Sequence, residues 1–170
     1  MTEQEFNEKL QKAKIEFEKI LNQTEEDNSK PFANYIAVKN VNNTIYISGQ
    51  LPRDLLNNNN IITGKASDNN EIFDAKYAAA MCAMQILLVL KNEIENLSKI
   101  KSCTQLQVFV NSNPEFTNQH LVANGASDLI CEYIEKFTNN KTIAQHTRCA
   151  VGVATLPLGA LVEVGAIFTI

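Results

Sequence analysis

Residues 146–170 read HTRCAVGVATLPLGALVEVGAIFTI, and the alternation within this stretch predicts two β-strands joined as a hairpin. One face of the first strand is formed by His146, Arg148, Ala150 and Gly152. The opposite face is formed by Thr147, Cys149, Val151 and Val153. A Leu-Pro-Leu-Gly sequence at 156–159 supplies the turn, since proline fixes φ and glycine tolerates positive φ. In the second strand, the side chains expected to be buried are Val162, Val164, Ala166, Phe168 and Ile170.

Arg148 and Glu163 are isolated charges in this apolar stretch, and across a hairpin they could meet. One interpretation is an exposed ion pair on an edge strand, which contributes little to stability. The other is a binding site, because small residues leave a hollow beside both charges. These small residues are Ala150, Gly152 and Gly165. The residues alone leave both interpretations open.

Length and composition predict one domain over residues 1–170, with residues 1–30 as an N-terminal helical extension. The chain has 170 residues, 45% hydrophobic and 20% charged, with a formal net charge of −4. The acidic balance disfavours broad binding of nucleic acid through phosphate contacts. Because no long uncharged apolar run and no secretory signal are apparent, we expect no membrane span and a cytoplasmic location.

The cysteines and histidines predict neither a disulfide framework nor a metal site. The four cysteines lack the Cys-x-x-Cys spacing of zinc sites, so we expect buried, reduced thiols. Only two histidines, His120 and His146, are present, and they form no recognisable metal motif. These residues therefore predict no metal site.

Periodicity predicts the elements that precede the final stretch. A first helix is expected at residues 2–22, with a Thr2/Glu5 capping box. A second is expected at 70–96, capped by Asn70. A third is expected at about 115–137, and Pro114 is well suited to its start. Strands are expected at residues 34–41, 44–48 and 103–110, the first two joined by an Asn-Asn turn at 42–43. Ser48 and Gly49 end the second strand, where glycine allows close approach of the backbone.

After the leading helix, the order β-β-α-β-α-β-β predicts an α+β fold with one mixed sheet and helices on one face. The leading helix is expected to pack on the sheet. No element remains for the other face of the sheet, which favours self-association.

Several motifs, in one order along the chain, resemble the RidA/YjgF family. They are Ser48-Gly49-Gln50, Gly64-Lys65, Val108-Phe109-Val110-Asn111, Arg148, Leu156-Pro157 and Val162-Glu163-Val164. The tracts VANGASDLI (122–130) and HTRCAVGVATLPLGALVEV (146–164) are similar to the subgroup often described as endoribonuclease L-PSP-like, in which a leading helix is typical. The resemblance extends from about residue 35 to the C-terminus.

The resemblance implies a chorismate-mutase-like fold, assembled as a homotrimer with clefts between subunits. It also implies an enamine/imine deaminase that converts reactive 2-imino acids to 2-oxo acids and ammonia without a cofactor. In that reaction, Arg148 would clamp the substrate carboxylate and Glu163 would hold the attacking water. Tyr35, Ser48, Gly49 and Asn124 match further family positions at the substrate.

One departure is Ala150, which stands where deaminase members commonly carry a cysteine; the neighbouring Cys149 is expected to lie in the core. His146 shares the face of Arg148, and either ligand binding or a structural role would suit it. Two other functions stay open at this point. One is an endoribonuclease acting on single-stranded RNA, and the other is a non-catalytic trimer that binds small carboxylates or a protein partner.

Overall fold

The computed structural model describes residues 1–23, 34–67 and 72–170, and these form one five-stranded mixed sheet with two helices against one face. The helices are α1 (Glu3–Leu21), α2 (Ile72–Ile94) and α3 (Gln119–Thr138). The strands are β1 (Val38–Val41), β2 (Thr44–Gln50), β3 (Arg53–Asp54), β4 (Asn60–Ile61), β5 (Ser102–Asn111), β6 (Thr147–Val153) and β7 (Val162–Thr169). The short β3–β4 hairpin is separate from the main sheet.

The strand order is β1-β2-β7-β5-β6, so β5 lies between the last two strands. The predicted hairpin of residues 146–170 is therefore wrong. β6 pairs in parallel with β5, while β7 pairs antiparallel with both β5 and β2. The physical reason is the crossover through α3, which delivers β6 parallel to β5 at the edge of the sheet. Residues 154–161, including the predicted turn, then cross the end of β5 to reach β7.

Alternation along β5 separates the two faces of the sheet. Leu106, Val108 and Val110 are fully buried and face the helices, whereas Gln107 is exposed on the other face. No helix covers that second face within the described residues, and we call it the open face. Its exposed large apolar side chains include Tyr46 and Val151.

Helix α2 is the central element of the core. By length and composition it could cross a membrane, but 78% of its most apolar window is buried inside the fold. Its apolar character is thus explained by contact with the sheet on one side and with the other helices around it. The predicted cap, Asn70, lies outside the described residues.

Helix α1 packs on α2 and α3 rather than on the sheet, contrary to the prediction. Phe6 lies against Phe73 of α2, with ring centroids 5.8 Å apart, and Phe17 meets the edge of Tyr133 of α3 at 5.0 Å. Because α2 and α3 already cover the sheet, only their outer surface is left for α1. The predicted capping box is confirmed, with Thr2 Oγ accepting from the Glu5 backbone N–H.

Other local predictions differ in accuracy. The turn at 42–43 is confirmed, with left-handed φ values of 52° and 64° at Asn42 and Asn43 that suit a two-residue hairpin. Helix α3 starts at Gln119, later than predicted from Pro114. The intervening residues form a turn in which the Phe116 N–H donates to the Asn113 carbonyl.

Helices α2 and α3 approach most closely at Gly125. A Cβ atom added there would lie 2.0 Å from the backbone carbonyl oxygen of Lys76. Since neither backbone can move without disturbing its helix, this contact requires glycine.

We expect Gly125→Ala to lower the free energy of unfolding by about 1–3 kcal/mol through overpacking. Urea unfolding at a fixed protein concentration measures the effect. Gly165→Ala is the matched control, because a Cβ there would meet Gln107 Oε1 and the Ile47 carbonyl at 3.5 and 3.6 Å, which are ordinary contact distances. Equal losses in both variants would contradict the close helix approach.

Candidate functional site

The strand order places Arg148 and Glu163 on opposite faces of the sheet. Arg148 is in register with Leu106 of β5, which faces the helices. Glu163 is in register with Phe109, which points to the open face. Paired residues on neighbouring strands share a face, so the two charges do not meet within one chain. Their predicted contact across a hairpin is wrong, because β5 separates the strands that carry them.

Arg148 belongs to a group of side chains on β6 and α3 that we call the arginine cluster, formed by Arg148, Asn124, Ser127 and His146. The guanidinium Nη1 donates to Asn124 Oδ1 and to Ser127 Oγ, both at 2.9 Å. Nη2 donates to the backbone carbonyl of His120 at 3.2 Å. All three acceptors are uncharged and come from one face of α3, since residues 120, 124 and 127 follow helical spacing.

These contacts leave part of the guanidinium available. Of its five N–H groups, the three described contacts use both on Nη1 and one on Nη2. In the part of the chain that the structure describes, the Nε–H and the second Nη2–H have no acceptor. Nε and Nη2 are the two nitrogens of one edge of the planar group, and the side chain is exposed. This edge is suited to bidentate binding of a carboxylate.

His146 supports Arg148 from within the fold. Its Nδ1 lies 2.9 Å from the Ala144 carbonyl, which can only accept, so Nδ1 carries the proton. In the neutral ring Nε2 is then an acceptor, and Ser127 Oγ, 3.0 Å away, donates to it. Ser127 therefore links His146 to the guanidinium, and both ring nitrogens of His146 have partners within the chain.

Small residues continue the helix-facing side of β6 beyond Arg148. Ala150 is in register with Val108 and lies half-buried against the core. Gly152 follows at the end of the strand, next to Ser112 and Gln119. Between Arg148 and Gly152, this side of the edge strand thus carries only a methyl group.

Glu163 is in contact with Gly49, and we use the name glutamate cluster for these two residues together with Ser48, the neighbour of Gly49 in the chain, and Tyr35, which precedes the segment bonded to Ser48. The carboxylate of Glu163 lies directly against the Gly49 backbone, where an added Cβ would be 1.8 Å from Glu163 Oε1. The β2–β7 register shifts between Ile47 and Gln50, so Gly49 lies in an irregular part of the strand. The predicted close approach at Gly49 is thereby identified as contact with Glu163.

Burial raises the pKa of the Glu163 carboxyl. No hydrogen-bonding or charged partner offsets this effect in the described part of the chain. A half-buried carboxylate with a raised pKa and no partner is typical of a functional acid or base.

Ser48 is hydrogen-bonded to the segment that follows Tyr35 in the chain. The Ser48 hydroxyl donates to the Ile36 carbonyl at 2.8 Å, and the Ser48 N–H donates to the Ala37 carbonyl at 2.9 Å. These bonds hold the segment that carries Tyr35 beside β2. The Tyr35 side chain is 48% exposed and is free to contact a molecule outside this chain.

The predicted site residues therefore form two separate groups on one chain. Gly49 lies against Glu163, and Ser48 and Tyr35 are connected to Gly49 through the chain and the Ser48–Ile36 hydrogen bond. Asn124, His146 and Ala150 lie on the side of Arg148. Ser127 was not predicted from the sequence, although its helical spacing from Asn124 and His120 was a usable signal.

Cys149 is exposed on the open face, and its predicted position in the core is wrong. It is in register with the exposed Gln107, on the side of the sheet that no helix covers. Cys82 and Cys103 are buried as predicted, and Cys131 is partly buried. Within the described ranges, no group of three or more acidic, histidine or cysteine side chains could hold a metal ion.

Comparisons with known proteins agree with this architecture. Residues 25–170 match the family model described as Endoribonuclease L-PSP. Protein TCP17 of Trypanosoma cruzi is 38% identical over 137 residues, which cover 81% of each chain. The crystal structure of Atu1372 from Agrobacterium tumefaciens, described as a protein with unknown function, is 34% identical over 97% of both chains, with a TM-score of 0.72.

A more distant similarity is seen to Escherichia coli TdcF, solved with bound serine. It is 16% identical over 82% of this chain and 91% of that one, with a TM-score of 0.56, and it supports the fold alone. The family match includes every residue of both clusters. The chain therefore belongs to the endoribonuclease L-PSP family, also known as the RidA/YjgF family, and has its chorismate-mutase-like α+β fold.

Proposed function

We propose that this protein is an enamine/imine deaminase that hydrolyses 2-imino acids to 2-oxo acids and ammonia. The observation that carries the proposal is the edge of the Arg148 guanidinium that α3 leaves available. Its geometry matches a planar carboxylate, the group common to all 2-imino acids. The bound serine of TdcF, an α-amino acid with such a carboxylate, is consistent with this assignment in a protein of the same fold.

In the proposed reaction, Arg148 holds the substrate carboxylate while Glu163 holds a water molecule. The water oxygen attacks the carbon of the protonated C=N group, and the Glu163 carboxylate accepts the proton that the water loses. The same proton passes to the nitrogen of the resulting carbinolamine. The C–N bond then breaks and ammonia leaves. The hydroxyl proton passes through the Glu163 carboxylate to the ammonia, so the products are the 2-oxo acid and ammonium. The raised pKa of Glu163 makes its carboxylate a better base than an exposed one.

We further propose that each active site forms between two copies of the chain in a homotrimer. Arg148 and Glu163 lie on opposite faces of one sheet, so one protomer supplies only half of the site. The open face and the edge strand β6 are both uncovered within the described residues, and each offers a surface to another copy. A head-to-tail contact between two different surfaces can close as a ring, and the resemblance to the family implies three copies.

RNA cleavage, which the family description would also allow, is not favoured by either cluster. His146 uses both ring nitrogens within the chain, and the net charge of −4 opposes phosphate binding. RNA cleavage that persists after repurification and survives substitution of Arg148 or Glu163 would place a nuclease site elsewhere. Binding of 2-oxo acids without turnover would instead indicate a carboxylate-binding protein.

Arg148→Lys should raise KM for the imine by about 10- to 100-fold, because it removes a bidentate bond worth about 1.5–3 kcal/mol while keeping the charge. A pyridoxal-phosphate-dependent dehydratase generates the imine in the assay, and formation of the 2-oxo acid above the spontaneous rate is followed. Arg53→Lys, the same change at the chain's other arginine, is the matched control. Full activity in Arg148→Lys, or no acceleration by the native protein, would refute the proposal.

Mixing two inactive variants tests the shared site. Arg148→Ala and Glu163→Gln each retain one intact cluster, so subunit exchange should restore about a quarter of the wild-type activity in a mixed cyclic assembly. Light scattering gives the mass of each assembly for comparison with the 18.9 kDa chain. If exchange is demonstrated by mass and no activity returns, the two clusters do not act together across an interface.

The raised pKa of Glu163 predicts a pH-dependent difference in stability. Because the folded-state pKa lies above the ordinary value of 4.5, the stability associated with this group is full below 4.5 and is lost as pH rises through the folded-state pKa. The free energy of unfolding of Glu163→Gln, relative to wild type, should therefore increase over that range. Urea unfolding at several pH values measures it, with Glu115→Gln, at an exposed loop position, as the control. A difference that does not change with pH would contradict burial of the carboxylate.

A further inference from the structure

A cavity of about 380 Å³ lies where the ends of β5 and β6 meet the start of α3. Its polar lining includes Lys65, Ser112 and Gln119, and Gly152 of β6 forms part of its wall. Neither the arginine cluster nor the glutamate cluster includes these three polar residues. No acidic side chain is part of the lining among the described residues.

Lys65 and Ser112 offer hydrogen-bond donors to this cavity. Lys65 Nζ donates to the Ala154 carbonyl at 2.8 Å, which holds the ammonium at the rim and leaves two of its N–H groups for a ligand. Ser112 is 7% exposed, and its Oγ accepts a long 3.4 Å bond from Gln119 Nε2. The Ser112 hydroxyl proton has no acceptor among the described residues. A fixed cation beside a buried hydroxyl favours an anionic ligand.

Gly152 keeps this cavity open. A Cβ atom there would lie 2.6 Å from Ser112 Oγ and 2.8 Å from Gln119 Nε2. Any side chain at this position would therefore displace the polar groups that line the cavity. Gln119 is itself held by donation from Nε2 to the Phe116 carbonyl at 2.6 Å, so it has little freedom to move away.

The cavity and Arg148 lie on the same face of β6, although the lining of the cavity includes Gly152 and not Arg148. Arg148, Ala150 and Gly152 share one face of β6, and the Cα atoms of Arg148 and Gly152 are about 13 Å apart at roughly 3.3 Å per residue. The guanidinium shortens this gap, because Nη2 reaches the carbonyl of His120, the residue next to Gln119. On β6 itself, Ala150 is the residue of this face between Arg148 and Gly152, and it carries only a methyl group. A molecule held at Arg148 by one end would have to extend over Ala150 to reach Lys65.

We propose that this cavity binds the anionic end of the substrate side chain, and that the substrates are 2-imino acids with a second carboxylate. The inference rests on the proposed deaminase function, because it takes Arg148 as the clamp for the first carboxylate. Lys65 and Ser112 then act as specificity-determining residues. Ala150 stands where deaminase members commonly carry the larger cysteine, and its small side chain leaves room for a longer substrate.

Binding of two stable 2-oxo acids by calorimetry tests the proposal. Wild type should bind 2-oxoglutarate at least tenfold more tightly than 2-oxobutyrate, which lacks the second carboxylate. Lys65→Met should abolish that preference and leave the affinity for 2-oxobutyrate unchanged, whereas Lys65→Arg, which retains the charge, should largely keep it. Gly152→Ala, which fills the cavity without altering charge, should also abolish the preference. Lys101→Met, at an exposed position before β5, is the control for loss of one positive charge.

Equal affinity of wild type for the two acids, no binding of either, or a parallel loss of both in Lys65→Met would overturn the proposal. These outcomes are distinct from failure of the deaminase function. A protein that hydrolyses short-chain imines but shows no Lys65-dependent preference keeps the proposed function and refutes the subsite. A protein that shows the preference without turnover of any imine loses the deaminase assignment and retains the anion site.

Discussion

The insertion of β5 between β6 and β7 determines how this chain can form a functional site. Side chains alternate strictly between the two faces of a sheet, so the register of each strand on β5 decides where its charge points. Arg148 follows Leu106 toward the helices, and Glu163 follows Phe109 to the open face. A single copy therefore presents Arg148 and Glu163 on opposite surfaces of the sheet, which is the basis for proposing a site between two copies.

The environment of Glu163 depends on the neighbouring strand β2 as much as on β7, the strand that carries it. A β-bulge at the end of β2 brings the Gly49 backbone against the carboxylate, and the absence of a side chain there lets the group remain half-buried. Burial then raises its pKa, since the charged form loses hydration without gaining a partner. Gly49, the glycine of the Ser-Gly motif, thus helps to set the pKa of Glu163, a residue far away in sequence.

Alternation, capping and turn chemistry are local properties, and the sequence predicted them well at Thr2, at Asn42-Asn43 and along residues 146–153. Pairing partners are not local. The alternating pattern of β6 gives its two faces but does not say whether β5 or β7 lies beside it, and a nearby turn made the hairpin the simpler choice. The exposure of Cys149 could not be predicted for the same reason, because it depends on which face the helices cover.

Neither the Arg148 guanidinium nor the Glu163 carboxylate has an ion-pair partner within the described part of the chain. Arg148 is held by an amide, a hydroxyl and a carbonyl oxygen, which fix its position without cancelling its charge. A carboxylate at Asn124 would hold the guanidinium more strongly and would also compete with any anionic ligand. Glu163 likewise lacks a cation. Leaving the half-buried Glu163 carboxylate without a partner costs stability in the free protein, a cost that proteins accept where a ligand completes the interaction. The neutral support of Arg148 therefore keeps its charge available for the carboxylate in the proposed reaction.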